Sequence, residues 1–196
     1  MLTMKVLILG DGAVGKTSLR HRYMGRGFKS TYMMTIGADF VIKELTYEDG
    51  TTVALQIWDI AGQDTFMQLR PTFYQGAVGA LMVYDVTRHN TFDNVANWVS
   101  EISKYHHIER FPIILIANKI DLRESIAMCI TTSKGENLIR TLENNYYNNR
   151  WKIPFVETSA KTGENVENAF VNLSKASIEF YRQFKSEENI RARSEL

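Results

Sequence analysis

Residues 10 to 17 read GDGAVGKT and follow directly on the apolar run KVLIL. The spacing of Gly10, Gly15, Lys16 and Thr17 is that of a phosphate-binding loop, in its required setting after a strand and before a helix. Glycines permit backbone angles that turn several N–H groups toward one anion, and the helix that follows adds its positive N-terminal end. In this pattern Asp11, Gly12, Ala13, Val14 and Gly15 form the cradle, with Ser18 in the first turn of the helix. Lys16 reaches the terminal phosphates as a compact charge, and the Thr17 hydroxyl suits a magnesium ion that also takes phosphate oxygens. The bland alternative is an ordinary glycine-rich turn.

A second group of residues addresses the base. Asn118, Lys119, Ile120 and Asp121 fall at the C-terminal end of a strand, where ligands lie in open α/β sheets. The Asp121 carboxylate can accept two hydrogen bonds from N1–H and the 2-amino group of guanine, and adenine offers no matching pair. Left unpaired in a dry site, that carboxylate penalises ATP. Ser159, Ala160 and Lys161 follow another strand end, where a backbone N–H near Ala160 would meet guanine O6. The third group is WDIAGQD, residues 58 to 64. Asp59 ends an apolar strand and is placed to hold the magnesium shell through water. Gly62 can present a bare N–H to a γ-phosphate, and Gln63, whose amide is a poor base, orients the attacking water. Together the three groups point to binding and hydrolysis of GTP.

These loops need a scaffold, and the apolar pattern supplies one. Strand-length clusters recur at Lys5 to Leu9, Gly79 to Asp85, Pro112 to Asn118 and Ile153 to Thr158, with 3.6-period segments between them. Such alternation predicts an α/β fold, a mostly parallel sheet with helices on both faces. Two further runs, Asp39 to Tyr47 and Thr52 to Trp58, flank Glu48, Asp49 and Gly50 and predict an antiparallel hairpin on one edge. Val53, Leu55 and Ile57 share one face of the second run. Val166, Ala169, Phe170, Leu173, Ser177, Phe180 and Phe184 make one stripe of the last helix. Ser133 and Glu136 have capping-box spacing before another helix. Residues 1–184 are expected to form one domain, and 185–196 a short charged tail that frays.

Composition removes several classes. The chain of 196 residues is 44% hydrophobic and 23% charged, enough to bury a core without staples. Its 23 Lys and Arg nearly balance 22 Asp and Glu, so a formal net charge of +1 attracts neither nucleic acid nor anionic lipid over a distance. One cysteine, Cys129, excludes an internal disulfide framework and fits a reducing compartment. No apolar stretch reaches the roughly 18 to 20 residues of a membrane helix. The expected location is cytoplasmic, peripheral to membranes through partners. The four histidines read as solvated surface, with no metal cluster.

GDGAVGKT, Thr35 in TIGADF, DIAGQ, NKID and SAK together resemble the Ras superfamily of small GTPases. TIGADF, LQIWDIAGQD, YQGAVGALMVYDVT and ETSAKTGENVENAF look most like its Rab branch. The resemblance implies a P-loop small GTPase fold with a six-stranded sheet, one antiparallel edge strand, and nucleotide at the C-terminal edge. It also implies two nucleotide-sensing segments, roughly Phe28 to Asp39 and Ala61 to Tyr74. By similarity Phe28 stacks on guanine, Tyr32 closes over the phosphates, and Thr35 coordinates magnesium while its backbone senses the γ-phosphate. Phe40, Trp58 and Phe73 match the aromatic triad of a Rab effector surface. An exchange factor, an activating protein and an effector are the partners implied, through residues 28–45 and 58–74, and a monomer is expected. The family's role is a switch in membrane trafficking or signalling. The alternative is a nucleotide-bound scaffold that scarcely hydrolyses, against which the intact Thr17, Thr35, Asp59 and Gln63 speak.

Several residues depart from the family pattern. The phosphate loop looks like the Rho branch, Ile60 stands where Thr is usual, and Asp64 where Glu is usual. Between Leu142 and Pro154 the chain is longer than relatives and rich in Asn, Tyr and Trp. The tail lacks the cysteines that Rabs use for lipid anchoring, so no lipid anchor is expected, as in a prokaryotic or archaeal relative or a shortened chain. No arginine clearly completes the site in cis. Arg22, Arg26 and Arg70 read as solvated charges, so turnover is expected to be slow, on the order of 10⁻⁴ to 10⁻³ per second, unless a partner donates an arginine.

Overall fold

A computed structural model describes residues 2–28 and 34–194, with side chains through Gln183. Tyr32 and the side chain of Phe184 therefore lie outside the described residues. Six strands form one sheet: β1 (Leu2–Leu9), β2 (Ala38–Thr46), β3 (Thr52–Ile60), β4 (Ala77–Asp85), β5 (Ile113–Asn118) and β6 (Phe155–Thr158). Their order is β2-β3-β1-β4-β5-β6. Only the β2–β3 pair is antiparallel, closed by a turn in which the amide of Gly50 donates to Tyr47 O at 2.9 Å and Asp49 Oδ1 accepts from Thr51 N.

Period-two alternation sends neighbouring residues of β1 to opposite faces of the sheet. Leu7 and Leu9 pack with Met82, Tyr84 and Leu115 under α4 (Val95–Ile102) and α5 (Thr132–Tyr147). Met4, Val6 and Ile8 pack with Val53, Leu55 and Ile57 under α1 (Lys16–Tyr23) and α6 (Val166–Ser194), through Leu19, Tyr23, Phe170 and Leu173. Two one-turn helices, α2 (Arg70–Tyr74) and α3 (His89–Asp93), occupy the loops on either side of β4. They are too short to show a helical period in sequence.

Register brings the polar strand ends into one row. Ile8 pairs with Asp59, Asp85 with Asn118, and Asn118 with Thr158. Asp59, Asp85, Asn118 and Thr158 are each at most 1% exposed, so the C-terminal edge of an otherwise apolar sheet carries buried polar groups that need partners.

One expectation is corrected. The cap of α5 is Thr131, whose Oγ1 accepts from Lys134 N at 3.3 Å. The helix starts two residues before the expected box, so Ser133 lies inside it. The backbone of α6 runs past Phe184 to Ser194, through Lys, Glu, Arg and Ala residues that favour helix. The Leu142–Pro154 insertion is anchored in the core: Tyr147 is buried and donates to Phe111 O at 2.7 Å. Buried Glu143 accepts from Ile153 N at 2.8 Å, and Trp151 meets Phe180 edge-on at 4.9 Å.

Candidate nucleotide site

The loop between β1 and α1 is held from outside by residues of β5, of α4 with its cap, and of the loops that follow β4 and β5. Gly10 and Gly15 adopt φ of 137° and 101°, and a Cβ would fall 2.1 Å from Val83 O at the first and 2.3 Å from Asn118 Nδ2 at the second. Both positions therefore require glycine for space as well as angle. Buried Lys16 curls over the loop, its Nζ donating to Gly10 O at 2.6 Å and Asp11 O at 2.7 Å. The next three carbonyls are also taken, Gly12 O by Arg88, Ala13 O by Lys119 and Val14 O by Asn118, each at 2.8 Å. C=O and N–H of a trans peptide plane point in opposite directions. Fixing these carbonyls to neighbouring loops leaves the N–H groups of residues 13 to 15 facing the other way, toward a cavity of about 650 Å³ lined by Gly12, Ala13 and Gly15.

That cavity is also lined by Lys16, Thr17, Ser18, Phe28, Thr35, Gly62, Gln63, Asn118, Lys119, Asp121, Ala160 and Lys161. Sequence reasoning named all of these. It did not assign to the site His21, Gly27, Ile60 and Leu122, which line the cavity too. The side chains of Asp11, Val14 and Ser159 turn elsewhere. Asp11 Oδ1 accepts from Asn94 Nδ2 at 2.6 Å and Trp98 Nε1 at 2.8 Å, which ties the loop to α4. Val14 is buried in the core, and Ser159 Oγ donates to Asp121 Oδ1 at 2.6 Å.

At the base end, Asn118 reads three elements at once. Its Nδ2 reaches Val14 O, and its Oδ1 accepts from Thr158 Oγ1 at 3.1 Å and from Ala160 N at 3.2 Å. The Ala160 N–H expected to face a ligand is engaged here by Asn118. Arg22 of α1 donates from Nε to Ala160 O at 3.0 Å and from Nη2 to Lys161 O, so this arginine braces the base loop instead of standing in solvent.

At the other end three oxygens converge. Thr17 Oγ1 donates to Asp59 Oδ2 at 2.5 Å, and Thr35 Oγ1 lies 3.0 Å from Thr17 Oγ1 and 3.5 Å from Asp59 Oδ2. Asp59 is buried, its Oδ1 has no hydrogen-bond partner, and burial raises its carboxyl pKa above the ordinary value. Burial likewise pulls the Lys16 ammonium down to about 8. Among the described residues no cluster of three or more His, Cys, Asp or Glu exists. A cation here would rest on hydroxyls, one carboxylate and ligand oxygens, the hard donor set of magnesium.

The segment after β3 closes the cavity. Ala61 N donates to Gly37 O at 2.8 Å, joining it to the segment before β2. A Cβ on Gly62 would fall 2.4 Å from Gly10 O, so only glycine lets this chain lie against the phosphate loop. Gln63 Nε2 stands 3.4 Å from where a Gly12 Cβ would be. Arg70 departs furthest from expectation. It is 2% exposed, donates to Gly62 O at 3.2 Å, Gln63 O at 2.9 Å and Glu101 Oε2 at 3.1 Å, and lies 4.1 Å over the Trp98 ring. His106, also expected in solvent, is half-buried, donates to Tyr74 O at 3.0 Å and packs on Phe111. The aromatic triad does assemble, Phe40 stacked on Trp58 at 4.9 Å and Trp58 tilted to Phe73 at 6.4 Å.

A phosphate loop at the first strand end, an Asn-Lys-x-Asp loop beside it and a glycine-glutamine loop across from it define a P-loop nucleotide hydrolase. The sequence matches the Ras family over residues 5–179, and the chain belongs to that family. It is 40% identical to the Ras-related protein RABG3f of Arabidopsis thaliana over 89% of this chain and 82% of the relative. It is 41% identical to the Ras-related protein Rab7 of Pisum sativum over 89% and 82%, and 37% identical to the Ypt/Rab-type GTPase YPT7 of Saccharomyces cerevisiae over 90% and 82%. The chain is a Rab-like small GTPase that binds guanine nucleotide and hydrolyses GTP.

Proposed function

We propose that this protein is a magnesium-dependent GTP switch whose two sensing segments are the chain around Thr35 and the chain around Gly62 and Gln63. The observation that carries this reading is the convergence of Thr17, Thr35 and Asp59 oxygens within 3.5 Å of one another beside the pinned phosphate loop. A magnesium ion bound there would neutralise phosphate charge. Thr17 and Thr35 would hold it directly and Asp59 through water, which would also satisfy the orphan Asp59 Oδ1. Lys16 and the N–H groups of residues 13 to 15 hold the phosphates. The Thr35 and Gly62 amides read the γ-phosphate, and Gln63 orients the attacking water. Asp121, with Asn118, Lys119, Ser159, Ala160 and Lys161 around it, selects guanine, and Phe28 covers the base. Loss of the γ-phosphate removes the ligand shared by the two segments, which then relax.

Residues 28–45 and 58–74, with the exposed side chains of Ile36, Phe40, Ile42, Met67 and Leu69, form the surface for an exchange factor, an activating protein and an effector. Attachment to membranes through partners, in the trafficking role that Rab proteins share, belongs to this reading; among the described residues no helix is long and apolar enough to cross a membrane. Amide exchange over residues 34–37 and 60–66, compared between GDP and a non-hydrolysable triphosphate, tests the switch. Slower exchange with the triphosphate is expected, and equal exchange would overturn it.

A further inference from the structure

Arg88 lies in the loop after β4, outside every motif that describes the site, yet it reaches the phosphate loop. Its Nη2 donates to Gly12 O at 2.8 Å while its Nε donates to Asp85 Oδ2 at 3.1 Å. Asp85 is 1% exposed, and all of its acceptor capacity is committed. Its Oδ2 also receives Lys119 Nζ at 2.7 Å, and its Oδ1 receives Thr87 N at 2.9 Å and Thr87 Oγ1 at 2.7 Å. Burial pushes the Asp85 carboxyl pKa up, but Lys119 and the two hydrogen bonds from Thr87 outweigh it and leave it below the ordinary value. One buried carboxylate thus aligns two cations, and each cation holds one carbonyl of the phosphate loop, Gly12 O and Ala13 O.

The peptide between Gly12 and Ala13 is where such a hold matters. Ala13 has φ of 61°, a left-handed conformation that a residue with a Cβ adopts at a cost. The bond from Arg88 keeps the carbonyl of that peptide turned outward, and so keeps the Ala13 N–H on the cavity side. Gly12 is also the loop residue that Gln63 faces. The other carbonyls of the loop keep their own partners in Lys16, Lys119 and Asn118.

We propose that Arg88 is a positioning residue for GTP hydrolysis: bridging Asp85 and Gly12 O, it sets the Gly12–Ala13 peptide opposite Gln63, and it bears on the hydrolytic step more than on nucleotide retention. The inference rests on the reading of Gln63 as the group that orients water. A lysine carries the same charge on one nitrogen, whereas Arg88 uses two separate donors, Nε to Asp85 Oδ2 and Nη2 to Gly12 O. Charge and geometry are therefore separable.

The test is single-turnover GTP hydrolysis and GDP dissociation, both in magnesium, for the parent, Arg88→Lys and Arg88→Gln, with thermal unfolding of the GDP-bound proteins as a control for folding. The expected result is a loss of about three- to tenfold in hydrolysis for both variants, the scale of one net hydrogen bond, with GDP dissociation within about twofold of the parent. Parent-like hydrolysis in both variants would overturn the proposal. So would hydrolysis and dissociation changing by one common factor, which marks general loosening, or a parent-like rate in Arg88→Lys alone, which marks charge without bridging. A Gln63→Leu control that hydrolyses like the parent would instead sink the reading of Gln63.

Discussion

Arg70 Nη2 donates to the carbonyl of Gln63 at 2.9 Å, so the backbone of the proposed water-orienting residue is tied to a buried guanidinium. The same guanidinium meets Glu101, which in turn accepts from Tyr74 OH at 2.6 Å. Burial and this hydrogen bond push the Tyr74 phenol upward. Removing the cation alone strands a partly buried carboxylate. Arg70→Met is expected to destabilise the protein by about 3 kcal/mol in urea unfolding and to speed amide exchange at residues 62 to 64. Unchanged stability would show that Glu101 does not depend on this pair.

Gln63→Leu is expected to slow single-turnover GTP hydrolysis at least about tenfold while GTP affinity stays within about twofold, since an orienting amide contributes to the reaction and little to binding. The measurement is phosphate release beside a titration with a fluorescent triphosphate. Equal loss of affinity and rate would make Gln63 a binding residue.

Asp121→Asn replaces an acceptor pair with one acceptor and one donor. GTP affinity is expected to fall about a hundredfold or more, the scale on which a site rejects a ligand that leaves its polar groups unpaired. Xanthosine triphosphate, whose 2-carbonyl meets the new donor, is expected to gain. Competition binding checks both directions, and a variant that kept the parental preference would remove Asp121 from base selection.

Burial holds Lys16 at about 8, and phosphate contact favours its charged form. Below that pH the ammonium is already charged and binding moves no proton at Lys16. Above it, the free site is largely neutral and binding takes one up. Triphosphate affinity is therefore expected to fall as pH rises from about 8 toward 9.5, with proton uptake at pH 9 and none from this group at pH 6.5. Calorimetry in two buffers of different ionisation enthalpy measures this, and equal uptake at both values would exclude Lys16 as its source.

Much of the architecture was legible because strand ends and ligand loops carry local signals. The apolar runs at β1, β4, β5 and β6 announced the parallel strands, and the Glu48–Gly50 turn announced the hairpin. GDGAVGKT, NKID and SAK supplied residues that do face one cavity. What stayed hidden was the second function of long cations. Arg22 and Arg88 fold onto backbone carbonyls far along the chain and Arg70 onto those of Gly62 and Gln63 in the preceding loop, and neither residue type nor spacing distinguishes such an arginine from a solvated one. Asp11 shows the reverse. Its place in the motif suggested the ligand, but Asn94 and Trp98 turn its carboxylate toward α4, a relationship only tertiary packing creates.

The phosphate loop also constrains how a spent ligand departs. From Gly10 to Val14 every main-chain oxygen is fastened to Lys16, Arg88, Lys119 or Asn118, so the floor beneath the phosphates cannot swing aside without breaking several contacts together. Egress has to start at the opposite wall, where Thr35 and Gly62 border the cavity and the amide of Ala61 fastens one strip of chain to the other through Gly37 O.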